Sequence, residues 1–135
     1  MKEIKELKLP EDVRYSIDHE WARIDGDTIY IGITDYAQDQ LGDIVYVEVP
    51  ELGATFRQGE ECGTLESVKA VATIFIPISG VIKAVNDALE EAPGLVNTSP
   101  YKDGWIAQVK PDDPSEMDNL MDRDAYLAML KGMKE

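Results

Sequence analysis

Residues 64–75 read TLESVKAVATIF, with one lysine between two runs that are typical of β-strands. The run before it, residues 62–66, and the run after it, residues 71–77, are rich in β-branched and apolar side chains, and small residues flank Lys69. This pattern predicts a β-hairpin with the lysine at its tip. Spacing alone leaves two interpretations open. Lys69 is either a solvated charge that discourages edge pairing, or an amine displayed for a modifying enzyme that would remove the charge and attach an arm.

Short β-like runs recur on both sides of this hairpin, separated by turn signals. Asp25-Gly26 between two such runs predicts a second hairpin, and Gly42 predicts the end of a short helical turn over residues 36–41. Further strands are predicted at residues 20–24, 28–33, 43–49, 55–56, 81–86 and 104–109. Many short strands predict a mainly β fold, a flattened barrel or sandwich of two antiparallel sheets.

The pattern changes after the last predicted strand. Residues 111–114 contain two prolines that interrupt it, and Ser115 is predicted to cap a helical turn that reaches Met121. Apolar residues at helical spacing within residues 124–133 predict a C-terminal helix packed on the sheets.

Length and composition indicate one globular domain. The 135 residues are 44% hydrophobic and 30% charged, enough for a core without disulfides. We expect a leader at residues 1–12 and a single domain at residues 13–135 that includes a helical segment at residues 115–133. No apolar run approaches the length of a membrane span, and the N-terminal residues alternate charged and aliphatic side chains. A cytoplasmic location is therefore the expectation.

The chain is acidic, with 13 Lys+Arg against 27 Asp+Glu and a formal net charge of -14. Such a charge argues against binding to nucleic acid or to anionic membranes, because both carry the same sign. Two interpretations stay open. The charge either steers the chain toward basic surfaces on partner proteins or only maintains solubility.

Catalytic chemistry has few candidates in this sequence. The single histidine, His19, lies between Asp18 and Glu20, which would favour its protonated form, and no serine or cysteine is placed as its nucleophile. One histidine with scattered carboxylates gives no spacing typical of zinc. The single cysteine, Cys62, excludes an internal disulfide and is interpreted as a small buried hydrophobe rather than a reactive thiol. We expect no catalytic residue, no metal and no enzymatic activity of the chain's own.

The hairpin stretch resembles the glycine cleavage system H-protein family. The lipoyl-attachment signature of that family, Glu-Ser-Val-Lys-Ala, occurs unaltered at residues 66–70. Further matches follow in order over residues 13–130: HEW at 19–21, GITDYAQ at 32–38, LGDIV at 41–45, LG at 52–53, PISG at 77–80, VN at 85–86, LVN at 95–97, SPY at 99–101 and GW at 104–105. Biotinyl domains usually carry Met-Lys-Met at this turn. Lipoyl domains of 2-oxoacid dehydrogenases are shorter and usually carry Asp-Lys-Ala.

The resemblance implies a lipoyl carrier with a lipoyl/biotinyl-domain-like hybrid fold, a non-catalytic component of a multienzyme system. Lipoate would be joined by an amide to the side-chain amine of Lys69. Recognition by the lipoylating enzyme would rest on the neighbouring residues Glu66, Ser67, Val68 and Ala70. For Ser67 and Ala70 a role in turn geometry is an open alternative. His19 and Glu20 would help to hold the loaded, positively charged arm in a surface cleft.

The partners implied by the resemblance are the other proteins of glycine cleavage. P protein, a pyridoxal-phosphate decarboxylase, releases CO2 from glycine and leaves an aminomethyl group on the arm. T protein, the aminomethyltransferase, passes the one-carbon unit to tetrahydrofolate and releases ammonia. L protein, dihydrolipoyl dehydrogenase, reoxidises the dithiol with NAD+. A lipoate ligase, or an octanoyltransferase with lipoyl synthase, would attach the arm to a monomeric carrier that binds neither nucleic acid nor membrane.

Two positions depart from the family pattern. Residues 71–75, VATIF, are apolar where family members often have a polar or acidic residue, and Cys62 is unexpected there. These departures leave an alternative open, an H-like lipoate-binding protein of another pathway. That pathway would be sulfur oxidation with a heterodisulfide-reductase-like complex, with a sulfur species as cargo, or lipoyl relay between proteins.

Three matched positions are interpreted as backbone-geometry positions rather than contacts: Gly80, Asn97 and Gly104.

Overall fold

Nine β-strands, four α-helices and two 3-10 turns form the computed structural model, which describes residues 2–134. The strands are β1 Arg14–Tyr15, β2 Glu20–Asp25, β3 Thr28–Ile33, β4 Ile44–Glu48, β5 Thr55–Phe56, β6 Glu61–Ser67, β7 Val71–Phe75, β8 Gly80–Val85 and β9 Ala107–Pro111. The helices are α1 Asp35–Leu41, α2 Ala88–Glu91, α3 Leu95–Thr98 and α4 Arg123–Lys134, and the 3-10 turns are Ile4–Glu6 and Pro114–Asn119.

The strands form two antiparallel sheets. The larger has the order β1-β2-β3-β9-β8-β5 and the smaller has the order β4-β6-β7. The predicted hairpin at Asp25-Gly26 joins β2 to β3, where Asp25 pairs with Thr28 and Gly26 takes a φ of 60°. The prediction of a mainly β fold with two antiparallel sheets is confirmed, and the sheets do not close into a barrel.

The main core lies between the two sheets. Alternate side chains of a strand point to opposite faces of its sheet, so aliphatic residues on the facing sides of both sheets meet there. Ile31, Ile82 and Val109 come from the larger sheet, and Leu65 and Ile74 come from the smaller one. Each is almost fully buried, and burial of such a side chain contributes about 1.5–3 kcal/mol. The smaller sheet is thereby fixed to the larger one.

A second, largely aromatic core lies beneath α4. The rings of Tyr15 and Tyr126 stack with their centroids 4.4 Å apart, and Leu130 is buried beside them. Trp21 joins the same cluster and donates from Nε1 to the carbonyl oxygen of Pro100 at 3.0 Å. The predicted C-terminal helix is confirmed. Within residues 2–134 no helix is both long and apolar enough to span a bilayer.

The N-terminal segment, expected as a leader at residues 1–12, packs on this second core. Leu7 is buried within the cluster. Lys2 donates from Nζ to the carboxylate of Asp35 on α1, with the nitrogen and Oδ2 3.0 Å apart. The first residue of this segment, and the last residue of the expected domain, lie outside the described residues.

The predicted short helix over residues 36–41 is confirmed as α1. Thr34 is its N-cap and accepts a hydrogen bond from the Ala37 N–H through Oγ1 at 3.2 Å. Gly42 ends the helix with a φ of 79°, a conformation that favours glycine. The chain thereby turns sharply into β4.

The predicted cap at Ser115 is wrong, since the 3-10 turn starts at Pro114 and Asp113 caps it. The Asp113 carboxylate accepts hydrogen bonds from the Ser115 backbone N–H at 3.0 Å and from its hydroxyl at 2.7 Å. Proline suits the first position of a helical turn because its φ is preset and it lacks an N–H. The turn therefore begins two residues earlier than predicted and places Ser115 inside it.

Candidate functional site

Lys69 lies at the tip of the hairpin that joins β6 to β7. The register pairs Glu66 with Val71, and the Ser67 N–H donates to the carbonyl oxygen of Ala70 at 2.8 Å. Lys69 is exposed and makes no ion pair within the described part of the chain. The predicted hairpin is therefore present, and the Lys69 side chain is accessible at its tip.

Ser67 holds the shape of this turn. Its side chain is buried, and Oγ accepts hydrogen bonds from the backbone N–H of Ala70 at 3.0 Å and from the backbone N–H of Lys69 at 3.3 Å. These contacts favour turn geometry as the role of Ser67. Glu66, Val68 and Ala70, in contrast, are exposed around the lysine.

The base of the hairpin is fixed to the segment that precedes β4. The Val68 N–H donates to the carbonyl oxygen of Asp43 at 3.2 Å. Gly42 lies beneath the lysine stem, because a Cβ built on it would stand 3.6 Å from Lys69 Cε. The lysine stem therefore lies over a residue that carries no side chain.

Asn97 on α3 ties this turn together, which corrects its interpretation as a backbone-geometry position. Its Oδ1 accepts from the Ile44 N–H at 2.8 Å. Its Nδ2 donates to the Gly42 carbonyl at 2.9 Å and to Gln38 Oε1 at 2.9 Å. Gly80 and Gly104 fit their interpretation, because a Cβ there would stand 2.2 Å from Lys110 O and 2.5 Å from Leu95 O.

Replacing Asn97 by alanine should lower the free energy of unfolding by about 2 kcal/mol, because it leaves the Ile44 N–H and the Gly42 carbonyl without their partners. Urea denaturation measures the loss. The control is Asn119→Ala, which removes only an exposed bond of 3.3 Å to Gln58 and should leave stability within about 0.5 kcal/mol of the parent. Equal losses in both variants would contradict this role of Asn97.

Glu20 is buried at the far end of β7 from the lysine. It is 2% exposed, and its carboxylate accepts from Ser16 Oγ at 2.6 Å and from the Phe75 N–H at 3.1 Å. Burial raises its pKa to about 8, against the lowering effect of these two hydrogen bonds. Phe75 ends β7 and Lys69 lies shortly before its start, so this five-residue strand, about 17 Å long, connects the two sites.

A cavity of about 300 Å³ opens beside Glu20. Its lining includes Ser16, Ile17, Asp18, Phe75 and Met121. The walls combine apolar surface with two carboxylates, so the cavity can receive an apolar chain that ends in a cation.

His19 does not line this cavity. Its Nδ1 lies 2.8 Å from the Tyr126 hydroxyl, and its ring lies 4.6 Å from that of Tyr36. Burial lowers the pKa of His19 and outweighs the opposing effect of Asp18. The expectation that flanking carboxylates favour the protonated form is therefore wrong, because the ring is half-buried among aromatic side chains.

Cys62 is buried, and burial raises the pKa of its thiol to about 12, with Glu20 and Glu61 adding to the effect. This confirms its interpretation as a small buried hydrophobe. Among the described residues no group of three or more His, Cys, Asp or Glu side chains is arranged to hold a metal ion.

Comparisons with known proteins place this hairpin in a family. The family model described as Glycine cleavage H-protein matches residues 13–133. The chain belongs to the glycine cleavage H-protein family. A glycine cleavage system H protein of Bacteroides thetaiotaomicron is 48% identical over 126 residues, which cover 93% of this chain and 100% of that protein. One of Brevibacillus brevis is 50% identical over 125 residues, covering 93% and 99%.

A solved structure shows the same architecture. The crystal structure of a glycine cleavage system H protein from Mycobacterium marinum is similar to this H-family chain with a TM-score of 0.83 and 38% identity, covering 91% of this chain and 99% of that one. The resemblance found in the sequence is confirmed. None of these matches supports the alternative roles in sulfur oxidation or lipoyl relay.

Sequence reasoning missed two features of the site in this family member. Asn97 fixes the turn beneath the lysine, and Phe75 supplies the backbone N–H that binds Glu20. Neither gives a local signal, because each acts on a residue more than 50 positions away along the chain. Residues 71–75, which depart from the family pattern, form β7, the strand whose last residue, Phe75, donates to Glu20.

Proposed function

We propose that this chain is the lipoyl carrier of a glycine cleavage system, with lipoate attached by an amide to Nζ of Lys69. The observation that carries the proposal is the unaltered Glu-Ser-Val-Lys-Ala signature folded as a hairpin with an exposed lysine at its tip that makes no ion pair within residues 2–134. It is supported by the family match over residues 13–133. The carrier domain would take in residues 13–135, with residues 1–12 as an accessory segment.

The residues present fit the lipoyl group. Lys69 offers a free amine on a turn that Ser67 and Asn97 keep rigid, so an attached arm would leave the surface in a defined direction. When bound, lipoate supplies a disulfide that opens to accept a one-carbon unit and is closed again by oxidation. The chain itself supplies position, because a tethered substrate meets each partner at high effective concentration.

We propose that recognition by the lipoylating enzyme rests on Glu66, Val68 and Ala70, which are exposed, with Ser67 setting the turn they stand on. The lipoylating enzyme would be a lipoate ligase, or an octanoyltransferase with lipoyl synthase. The chain would act as a monomer that visits P, T and L proteins in turn. Its charge of -14 would favour basic docking surfaces on these partners. A thiol kept buried and unpaired at Cys62 agrees with a cytoplasmic location.

We propose that Glu20 holds the positively charged end of a loaded arm in the cavity beside it. Two observations support this role. The cavity lies at the end of β7, the strand that leads away from Lys69, and the carboxyl group of Glu20 is the kind of group with which a cation would pair. His19 would act only indirectly, by fixing the segment before Glu20 through Tyr126.

The test is a reconstituted assay. The chain is incubated with a lipoate ligase, ATP and lipoate, its intact mass is measured, and it is then added to P protein for exchange between labelled bicarbonate and the glycine carboxyl group. We expect one lipoyl addition and an exchange rate that depends on it. Full lipoylation without any exchange would contradict the assignment to glycine cleavage, since a carrier of another pathway would still accept the arm.

A further inference from the structure

Four large hydrophobic side chains are exposed around Lys69. Val45 is 54% exposed, Tyr46 52%, Val68 78% and Val71 68%. Among the described residues only four other large hydrophobic side chains are comparably exposed, and they are spread over the chain: Ile17, Ile24, Leu52 and Met133. Concentrated apolar exposure of this kind marks an interaction surface rather than ordinary surface composition.

Strand register brings Tyr46 and Val71 to one face. Tyr46 pairs with Glu66, and Glu66 pairs with Val71, so the three residues form one row across β4, β6 and β7. Residues directly opposite one another in neighbouring strands project to the same side of a sheet. The adjoining row, Val47 and Leu65, is buried in the core. The Tyr46 row therefore projects outward.

A β-bulge adds Val45 to this face. The register of β4 against β6 shifts between Ile44 and Tyr46, and the burial along β4 breaks the usual alternation with two consecutive exposed residues. Bulges are found where a strand must redirect a side chain beside a functional site. Without this shift in register, Val45 would be expected to point into the core, on the opposite face of the sheet from Tyr46.

Acidic side chains lie within and beside this face. Glu66 lies between Tyr46 and Val71 in the row, and Asp43 and Glu48 are exposed near the two ends of β4. The Asp43 carbonyl oxygen also accepts the hydrogen bond from the Val68 N–H at the hairpin tip. Exposed apolar side chains with carboxylates among them are complementary to an apolar surface that carries basic residues.

We propose that this lysine face, defined by Asp43, Val45, Tyr46, Glu66, Val68 and Val71, is the docking surface for the enzyme that acylates Lys69. The inference rests on the proposed function and names the partner of that site. The partner is an acyltransferase or ligase whose active-site entrance has apolar side chains with Lys and Arg among and beside them.

The short length of the unmodified lysine side chain favours the acylating enzyme as the partner. The amine lies only one lysine side chain away from the backbone, so an enzyme that acts on it must contact the surface beside the hairpin. Once the arm is attached, its sulfurs lie further out by the whole lipoyl chain, and other partners can reach them with less contact. The reaction is an acyl transfer from a mixed carboxylic–phosphoric anhydride or from a thioester. Nζ of Lys69 forms a bond to the acyl carbon, the bond from that carbon to the phosphate oxygen or the sulfur breaks, and the activating group leaves with its electron pair. Nζ gives up the protons that an amide does not carry.

The test compares Tyr46→Thr/Val71→Thr with the parent chain as substrates of a lipoate ligase supplied with ATP and lipoate. Both positions are exposed and threonine suits a strand, so the fold should be retained, which circular dichroism checks. We expect the KM for the carrier to rise about tenfold with kcat unchanged, because truncated aromatic anchors weaken binding by such amounts. The matched control is Ile24→Thr, an exposed hydrophobic residue on β2, for which KM should stay within about twofold.

A second measurement identifies the occupant. The double variant is lipoylated to completion with excess ligase, and reduction of its arm by L protein with NADH is then followed. We expect a rate within about twofold of the parent. An unchanged ligase KM, an equal loss in Ile24→Thr, or an equal loss toward L protein would each overturn the inference. If the parent chain itself gains no lipoyl mass on Lys69, the proposed function is wrong. That result is distinguishable from failure of this inference, which concerns only the difference between the variants and the parent.

Discussion

Lys69→Arg should abolish lipoylation and leave the fold unchanged. Arginine keeps the positive charge and a similar stem, but its guanidinium stays protonated and is not a nucleophile for acyl transfer. The side chain is exposed and makes no ion pair among the described residues, so the free energy of unfolding should stay within about 0.5 kcal/mol of the parent. Intact mass after incubation with ligase, ATP and lipoate measures the first expectation, and urea denaturation the second.

The matched control for this variant is Lys83→Arg. Lys83 is another exposed lysine, on β8 of the larger sheet. This variant should gain the same lipoyl mass as the parent. A mass gain in Lys69→Arg would mean that another lysine accepts the arm, and the assignment of the site would be wrong. Peptide mapping would then locate the modified residue.

Features that depend on neighbours in sequence could be predicted from the sequence. The hairpin around Lys69 follows from two strand-like runs and a small-residue turn, and the end of α1 follows from Gly42. The C-terminal helix follows from its apolar spacing, although the spacing does not identify Tyr126, the residue that fills the aromatic core. Local propensity and turn chemistry determine such elements, so a single sequence contains the information.

Features that depend on distant residues could not be predicted from the sequence. The alternation of buried and exposed side chains along β4 is interrupted by a bulge that has no local sequence signal, and the bulge exposes Val45 as well as Tyr46. The environment of His19 shows the same limit. Its sequence neighbours predict a protonated ring, while residues of α1 and α4 bury it and lower its pKa. Tertiary packing decides burial, and burial outweighs adjacent charges.

Glu20→Gln should stabilise the protein at alkaline pH. The pKa of Glu20 is raised by burial from its ordinary value of 4.5 to about 8. Between these values the folded chain keeps a proton that the unfolded chain has lost, so stability is full below pH 4.5 and is lost as pH rises through 8. Glutamine resembles the protonated acid and does not titrate. We expect a gain on the order of 5 kcal/mol at pH 8.5 and little change at pH 4.5.

Urea denaturation at the two pH values measures this gain. Glutamine can retain both contacts, with its carbonyl oxygen facing the Phe75 N–H and its amide nitrogen donating to Ser16 Oγ. The control is Glu51→Gln, an exposed carboxylate whose replacement should not change the pH dependence. A stability difference between Glu20→Gln and the parent that is the same at both pH values would contradict a raised pKa at Glu20.

The same variant should weaken retention of a loaded arm. A neutral amide cannot neutralise the cation that a carboxylate would hold in the cavity, so the loaded form should lose its one-carbon unit faster than the parent while lipoylation proceeds normally. Release of formaldehyde from the loaded carrier, timed without T protein, measures the loss, and an unchanged lifetime would exclude Glu20 from this role. A residue whose replacement stabilises the fold at pH 8.5 but shortens the lifetime of the loaded arm is explained by function and not by folding. Above its pKa of about 8, Glu20 is a buried carboxylate that costs stability unless a cation pairs with it.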